Sequence, residues 1–431
     1  MKIKRILSAA LAAVMAASMC GCSVKVGTNK KIKDDYVVAE GKGESAKDKT
    51  GMTVTYGEFK KEYLYYLKAQ NITDDSEESV AETCKERRAT IINYLINEKI
   101  ILDKAKELGV ETLTAEEMDE VEAQFDELLD EQIAYFGENA DYGELATGEV
   151  ISDEDKKNRG NEEFDAYLAE CGMTRDDLLM WQVNAAITNK VVDETVKDVG
   201  IEYSEAEAEF DKIVESVKAM YAEDPYEYET GNGYTSIWLP EGSRMIKHVL
   251  LSFEDTLSDE IKACRQNGDD EGADRLRAQK AAEMEQQTTE IINMLDNGAD
   301  IDDLIVEYSG DLTGSSMNPD GYLLIPNGQS FMPEFQQAAF ELENIGDYKS
   351  CVTDYGVHIV MYAADAAVSE EDVKGFTDYL FDSLDTNKKN EYFSEQLEQW
   401  KTDYGFEIDY EALKIDEPSE SATAESATSE S

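Results

Sequence analysis

Residues 244–253 read RMIKHVLLSF and residues 351–362 read CVTDYGVHIVMY, and between them these runs hold the only histidines of a 431-residue chain, His248 and His358. Both runs are short, apolar and strand-like. The chain carries 95 acidic side chains and no other imidazole, and both of its histidines lie in the middle of such segments. The strand reading of Met245–Phe253 is followed by a helix-like run to about Asn297. Then come EYSGDLTGSSMNPDGYLL (307–324), FMPEFQQAAFELENIGDY (331–348) and VHIVMY (357–362). This alternation of helices and short strands predicts a small antiparallel sheet with helices packed on it.

Upstream, from Thr53 to about Val217, the period is helical. YGEFKKEYLYYLK (56–68) places Phe59, Tyr63, Tyr66 and Leu67 on one face, and the run from Val80 to Leu108 repeats Ile91, Leu95, Leu102 and Ala105 before Gly109 offers a C-cap. Capping pairs mark further starts at Thr114/Glu117, Thr174/Asp177 and Ser204/Glu207. The acidic stretch Glu138–Asn161 lacks the period and reads as a loop insertion. Downstream, Phe393, Leu397, Trp400 and Tyr404 form one apolar stripe on a C-terminal helix, placed here against the N-terminal helices.

The ends of the chain carry a different message. MKIKR supplies a basic start and ILSAALAAVMAAS an apolar stretch too short for a membrane span, so residues 1–21 read as an export signal. The stretch ends SMCGCS, and Cys22, with Gly21 before it and Ser23 after it, is the residue placed for lipidation. Acyl chains there would hold the protein to a membrane by roughly 0.8 kcal/mol per buried CH₂. Residues 22–51, polar and lysine-rich, read as a flexible tether, and residues 416–431 as a low-complexity acidic tail. Cys84, Cys171, Cys264 and Cys351 are widely spaced, without a C-x-x-C pair, and read as structural; their pairing is open. A net charge of −55 repels nucleic-acid backbones and excludes a nucleic-acid partner.

The order IKHVLLSF, YSGD, MPEFQQAAFEL, TDYGVHIVMY resembles the parvulin family of peptidyl-prolyl isomerases over roughly Arg244 to Ala364. With helices before it and a returning helix after it, the whole chain is similar to exported foldases of the PrsA and SurA type, and the cysteine favours the lipoprotein form. The resemblance implies an α+β architecture: a helical lobe at 52–240, a parvulin-like domain at 243–365 and a C-terminal helical segment at 366–415 that completes the lobe. It implies isomerisation of X-Pro bonds, no cofactor and no metal. Its partners would be unfolded exported proteins outside the cell membrane; pairing of two chains through the helical lobes is left open.

Carried over residue by residue, the resemblance places His248, Asp311, Thr353 and His358 in one hydrogen-bonded network. It lines a proline pocket with Leu323, Met332, Phe335 and Tyr355. Two departures stand out: PDGYLL keeps only part of the family's glycine-rich turn, and Tyr355 occupies a position that often carries a small hydroxyl. The loop FEDTLSDE after the first strand is acidic, which argues against reading phosphate before proline. A second reading of the same residues is a holdase whose parvulin domain is a weakly active scaffold.

Overall fold

The computed structural model describes residues 32–143, 150–231 and 233–417, so the export signal, Cys22 and all but the first two residues of the acidic tail lie outside the described residues. The chain divides into two compact units, Met1–Gly200 with Thr386–Ser431, and Ile201–Asp385.

The first unit opens with β1 (Val37–Gly41) and β2 (Thr53–Thr55), followed by helices α1 (Tyr56–Ala69), α2 (Ala81–Leu108), α3 (Ala115–Asn139), α4 (Asp153–Cys171) and α5 (Arg175–Val196). Capping boxes start α1 at Thr55/Glu58, α3 at Thr114/Glu117 and α5 at Thr174/Asp177, each pair satisfying orphan N–H groups of the first turn. Gly109 ends α2 in the left-handed region at φ 73°. Phe59, Tyr63 and Leu67 enter one core with Ile91, Ile92 and Leu95, while Tyr65, on the next face of α1, enters a second with Phe136, Phe164 and Leu168.

Two expectations change here. Residues 33–51 do not form a free tether: β1 pairs antiparallel with β2 and with a strand at the far end of the chain, Phe406–Ile408. Val38 and Ala39 are buried by those partners, and a strand that draws its neighbours from so far along the chain leaves no local periodicity to read. The break between α3 and α4 is shorter than Glu138–Asn161, because the helices run on to Asn139 and start again at Asp153. The compact second unit begins at Ile201 and contains the whole of the 243–365 segment.

That second unit starts with α6 (Tyr203–Glu223) and α7 (Pro225–Thr230). Glu202 caps α6 and pairs with Glu205, so Ser204 lies inside the first turn and caps nothing. Then β3 (Arg244–Ser252) leads to α8 (Asp255–Gln266), α9 (Asp270–Glu283) and α10 (Glu285–Asp296), three helices where one long run was expected. The chain continues through α11 (Ile301–Tyr308), α12 (Leu312–Met317), β4 (Tyr322–Leu324), α13 (Pro333–Phe340), β5 (Tyr348–Val352) and β6 (Gly356–Asp365). The four strands form one antiparallel sheet in the order β4-β3-β6-β5. Alternation divides its residues between two cores. Val249, Leu251, Val357 and Ile359 pack with Ile261, Ile291 and Leu304; Ile246, Leu324, Val360 and Tyr362 pack with Phe335, Ala338 and Ala339 of α13.

The chain closes with α14 (Glu370–Tyr404), β7 (Phe406–Ile408) and α15 (Tyr410–Leu413). In the first unit, Phe393, Leu397 and Trp400 of α14 pack against Ile101, Ala105, Ile187 and Val191. Tyr404 is fully buried in the α1–α2 core and its hydroxyl donates to Asp103, which also holds Lys49 at 2.5 Å. That ion pair fastens the segment after β1 to α2. Among the described residues no helix is long and apolar enough to cross a membrane.

Candidate active site

The strand register decides where the two histidines meet. His248 lies opposite Val360 and Leu250 opposite His358, so the imidazoles are diagonal neighbours across β3 and β6. Both lie in phase with Ile246, Val360 and Tyr362, on the α13 face of the sheet. Diagonal pairs stand within reach of ring-sized side chains. Here the Nδ1 atoms are 2.9 Å apart and the ring planes differ by 12°, so the rings meet through their nitrogen edges. Both side chains are buried.

Asp311 reaches this pair because its loop is pinned to β3. The Gly310 N–H donates to the Leu250 carbonyl at 2.7 Å, and Ser309 Oγ accepts from Leu250 N–H at 3.1 Å. Any Cβ at Gly310 would lie 1.9 Å from Ser252 Oγ, so only glycine permits this approach. The Asp311 carboxylate accepts from Gly314 N–H at 3.2 Å, and its Oδ2 lies 3.1 Å from His248 Nε2 and 2.6 Å from the Tyr322 hydroxyl. At the other end Thr353 Oγ1 lies 2.8 Å from His358 Nε2 and accepts from Tyr355 N–H at 3.1 Å.

These contacts assign the protons. Burial raises the Asp311 pKa, but hydrogen bonds from Tyr322 and His248 outweigh it and hold the carboxyl below its ordinary value, so it is ionised and can only accept. His248 Nε2 therefore carries a proton, and its Nδ1, in the neutral ring, accepts. His358 Nδ1 must then donate, its Nε2 must accept, and the Thr353 hydroxyl donates to it. A single directed chain results: Thr353 to His358 to His248 to Asp311. Burial and the carboxylate push the Tyr322 phenol up to about 12, so it stays a donor.

Burial lowers the His248 pKa more than Asp311 raises it. Burial, and then the neighbouring His248, pushes His358 down to about 3. An imidazole with a native pKa below the unfolded value of about 6.5 leaves the folded chain short of a proton that the unfolded chain takes up. Stability from these groups is thus complete above pH about 6.5 and is lost as pH falls toward the native values, by at most ~1.4 kcal/mol per pH unit for each ring. We expect ¹⁵N-histidine spectra to show both rings predominantly neutral at pH 7, each with a midpoint below 6.5. A midpoint at or above 6.5 for either ring would contradict the directed chain.

The apolar side of the site is aromatic. The Phe335 ring stands edge-on to both imidazoles, with centroids 5.2 Å from each, and Phe331 stacks on Phe335 at 5.6 Å. Tyr322 meets His248 at 5.3 Å and Phe331 at 5.8 Å, and Met332 packs at the edge of the same core.

Of the residues expected at the site, His248, Asp311, Thr353, His358, Met332 and Phe335 come together. Leu323 and Tyr355 do not. On β4, Tyr322 and Leu324 point toward the α13 core, and a one-residue step turns Leu323 to the other face. The Tyr355 side chain is 61% exposed, and only its backbone N–H touches the network. Tyr322 and Phe331 were legible only as aromatic residues beside glycine-rich or proline turns, with nothing local to mark them as functional. A cleft of about 240 Å³ reaches His248 and Tyr322 from the side of α11 and α12, where Ile305, Leu312 and Pro319 line it; Met332 and Phe335 do not.

Residues 240–366 match the family model described as a PPIC-type PPIASE domain. The chain is 23% identical over 327 residues to the foldase protein PrsA of Clostridium botulinum (strain 657 / Type Ba4), covering 76% of this chain and 75% of that protein. It is 28% identical over 227 residues to the foldase protein PrsA of Clostridium acetobutylicum, covering 52% and 56%. Among solved structures it is similar to PrsA from Bacillus subtilis, at 14% identity over 86% of this chain and 93% of that one, with a TM-score of 0.21. The domain match and the paired imidazoles under an aromatic wall agree: residues 240–366 are a PPIC-type, or parvulin, peptidyl-prolyl isomerase domain, carried in a chain similar to the PrsA foldases.

Proposed function

We propose that this protein is a membrane-anchored foldase outside the cell that isomerises X-Pro bonds in exported clients, while its helical unit holds them unfolded. The observation that carries this reading is the directed chain from Thr353 to Asp311 beneath Phe335. The foldase names of the relatives support it, and the signal-like start with Cys22 supports the anchor.

Rotation about an X-Pro bond is slow because amide resonance opposes it, with a barrier of ~18–20 kcal/mol. No bond is made or cut, so the site has only to favour the twisted amide over the planar one. In the planar amide, resonance places negative charge on the carbonyl oxygen. A fixed Asp311 carboxylate beside that oxygen disfavours the planar form and leaves the ketone-like twisted form less affected. Phe331 and Met332, partly buried at the edge of the α13 core, supply an apolar surface for the pyrrolidine ring, with the buried Phe335 ring behind them. The neutral imidazoles hold Asp311 in place without cancelling its charge.

The holdase reading is favoured by the exposed Tyr355 ring, which leaves one expected wall of the pocket open. A protease-coupled assay on proline peptides, run beside an aggregation assay on the chain without residues 1–22, separates the two. We expect isomerisation above the spontaneous rate and suppressed aggregation. A spontaneous rate with aggregation still suppressed would leave the holdase.

A further inference from the structure

Arg277 stands outside the hydrogen-bonded chain yet grips both sides of the site. It lies on α9, and its Nη1 donates to Glu334 Oε1 at 2.7 Å and to Asp354 Oδ1 at 2.9 Å. Glu334 sits in the first turn of α13, directly before Phe335, whose ring touches both imidazoles. Asp354 lies between Thr353, which bonds His358, and Tyr355, whose N–H donates to Thr353. One guanidinium nitrogen thus ties the helix bearing the aromatic wall to the hairpin loop bearing the hydroxyl end of the polar chain.

The anchorage is well built. The Arg277 side chain is 13% exposed, so this contact is less screened than a surface ion pair. Arg265, from α8, closes on Asp354 from another side, with Nε 3.1 Å from Oδ2 and Nη2 3.1 Å from Oδ1, and is itself held by Asp270 and Asp274. Burial raises the Asp354 pKa, but the two guanidinium groups outweigh it and keep the carboxylate charged. These two arginines are therefore engaged by four carboxylates from three elements or loops of the domain, which is the arrangement of a brace and not of a free anion site.

We propose that Arg277 is a positioning residue for prolyl isomerisation, setting the spacing between Phe335 and the Thr353–His358 hydrogen bond through its two carboxylates without touching substrate. The kinetic consequence rests on the isomerase reading above; the geometric one does not.

The chain contains two histidines, so a ¹⁵N-histidine spectrum reports on this site alone. In the full-length protein at pH 7, Arg277→Gln is expected to shift or split the His358 resonances and to lower kcat/KM on proline peptides about tenfold. Arg277→Lys, which keeps the charge but loses the planar fork, should recover part of both effects. Lys280→Gln, on the same helix but paired with Glu254 at the surface, should change neither. If Arg277→Gln does not fold, Glu334→Gln removes one arm only and should move His358 in the same direction by less. Unchanged imidazole resonances in Arg277→Gln, or in Glu334→Gln where that variant stands in, would overturn the proposal. If the wild-type protein shows no isomerase activity, the isomerase reading fails and the spectra alone decide the brace.

Discussion

Phe335→Ala is expected to destabilise the Ile201–Asp385 unit by ~3–5 kcal/mol, the range for truncating a buried aromatic ring. Phe335 is 3% exposed, lies in the core formed by α13 and the sheet, stacks on Phe331 and presents its face or edge to both imidazoles. Its removal opens a cavity where packing and function coincide. The histidines would lose the apolar cover that keeps them neutral, and Phe331 would lose the ring it stacks on. Phe335→Leu should recover much of the stability, since it restores volume, but little of the activity, since the edge-on ring contacts stay lost. Urea unfolding of the three forms checks the first part. A cost below about 1 kcal/mol for the alanine form would show that this ring is not the keystone of its core.

Asp311→Ala is expected to lower kcat/KM by about a hundredfold with the fold retained, a loss typical of removing one preorganised electrostatic group. The variant leaves the Tyr322 hydroxyl and His248 Nε2–H without their shared acceptor. The directed chain then has no terminus, and either tautomer of the His pair can form. Asp311→Asn is the sharper comparison, because it keeps the size and removes the charge. The pH profile tests the same carboxylate. Its pKa lies below the ordinary value, so activity and its share of stability should be present above pH about 4. Both should be lost as pH falls through the native pKa. The histidines add no rise between pH 7 and 9, because both are already neutral there. Equal rates for wild type and Asp311→Asn would show that the charge has no part in the reaction.

Much of the site was written along the chain, since four motifs in order place His248, Asp311, Phe335 and His358. What local sequence could not carry was phase. Whether Tyr322 or Leu323 faces the imidazoles depends on which residue of β4 sits opposite Ile246 of β3, and a three-residue strand has too few alternations to show it. Tyr355 was placed by motif position alone, and the hairpin between β5 and β6 turns its ring to solvent. Arg277 was invisible for a different reason. It is a lysine- or arginine-like surface residue by every local measure, and its two partners lie 57 and 77 residues away.

The helices α1 to α5, the capping boxes at Thr114 and Thr174 and the two strands that carry the imidazoles follow from residue type and spacing, because those are short-range consequences of backbone sterics and apolar periodicity; the meeting of the imidazoles with Asp311 was legible only through the resemblance to the parvulins. The tertiary structure alone decided that Val37–Gly41 joins a sheet with the far end of the chain, that Tyr322 and Phe331 complete the aromatic wall, and that the imidazole protons run one way. Each of these depends on contacts between segments far apart in sequence, where register and burial, and not composition, select the partner.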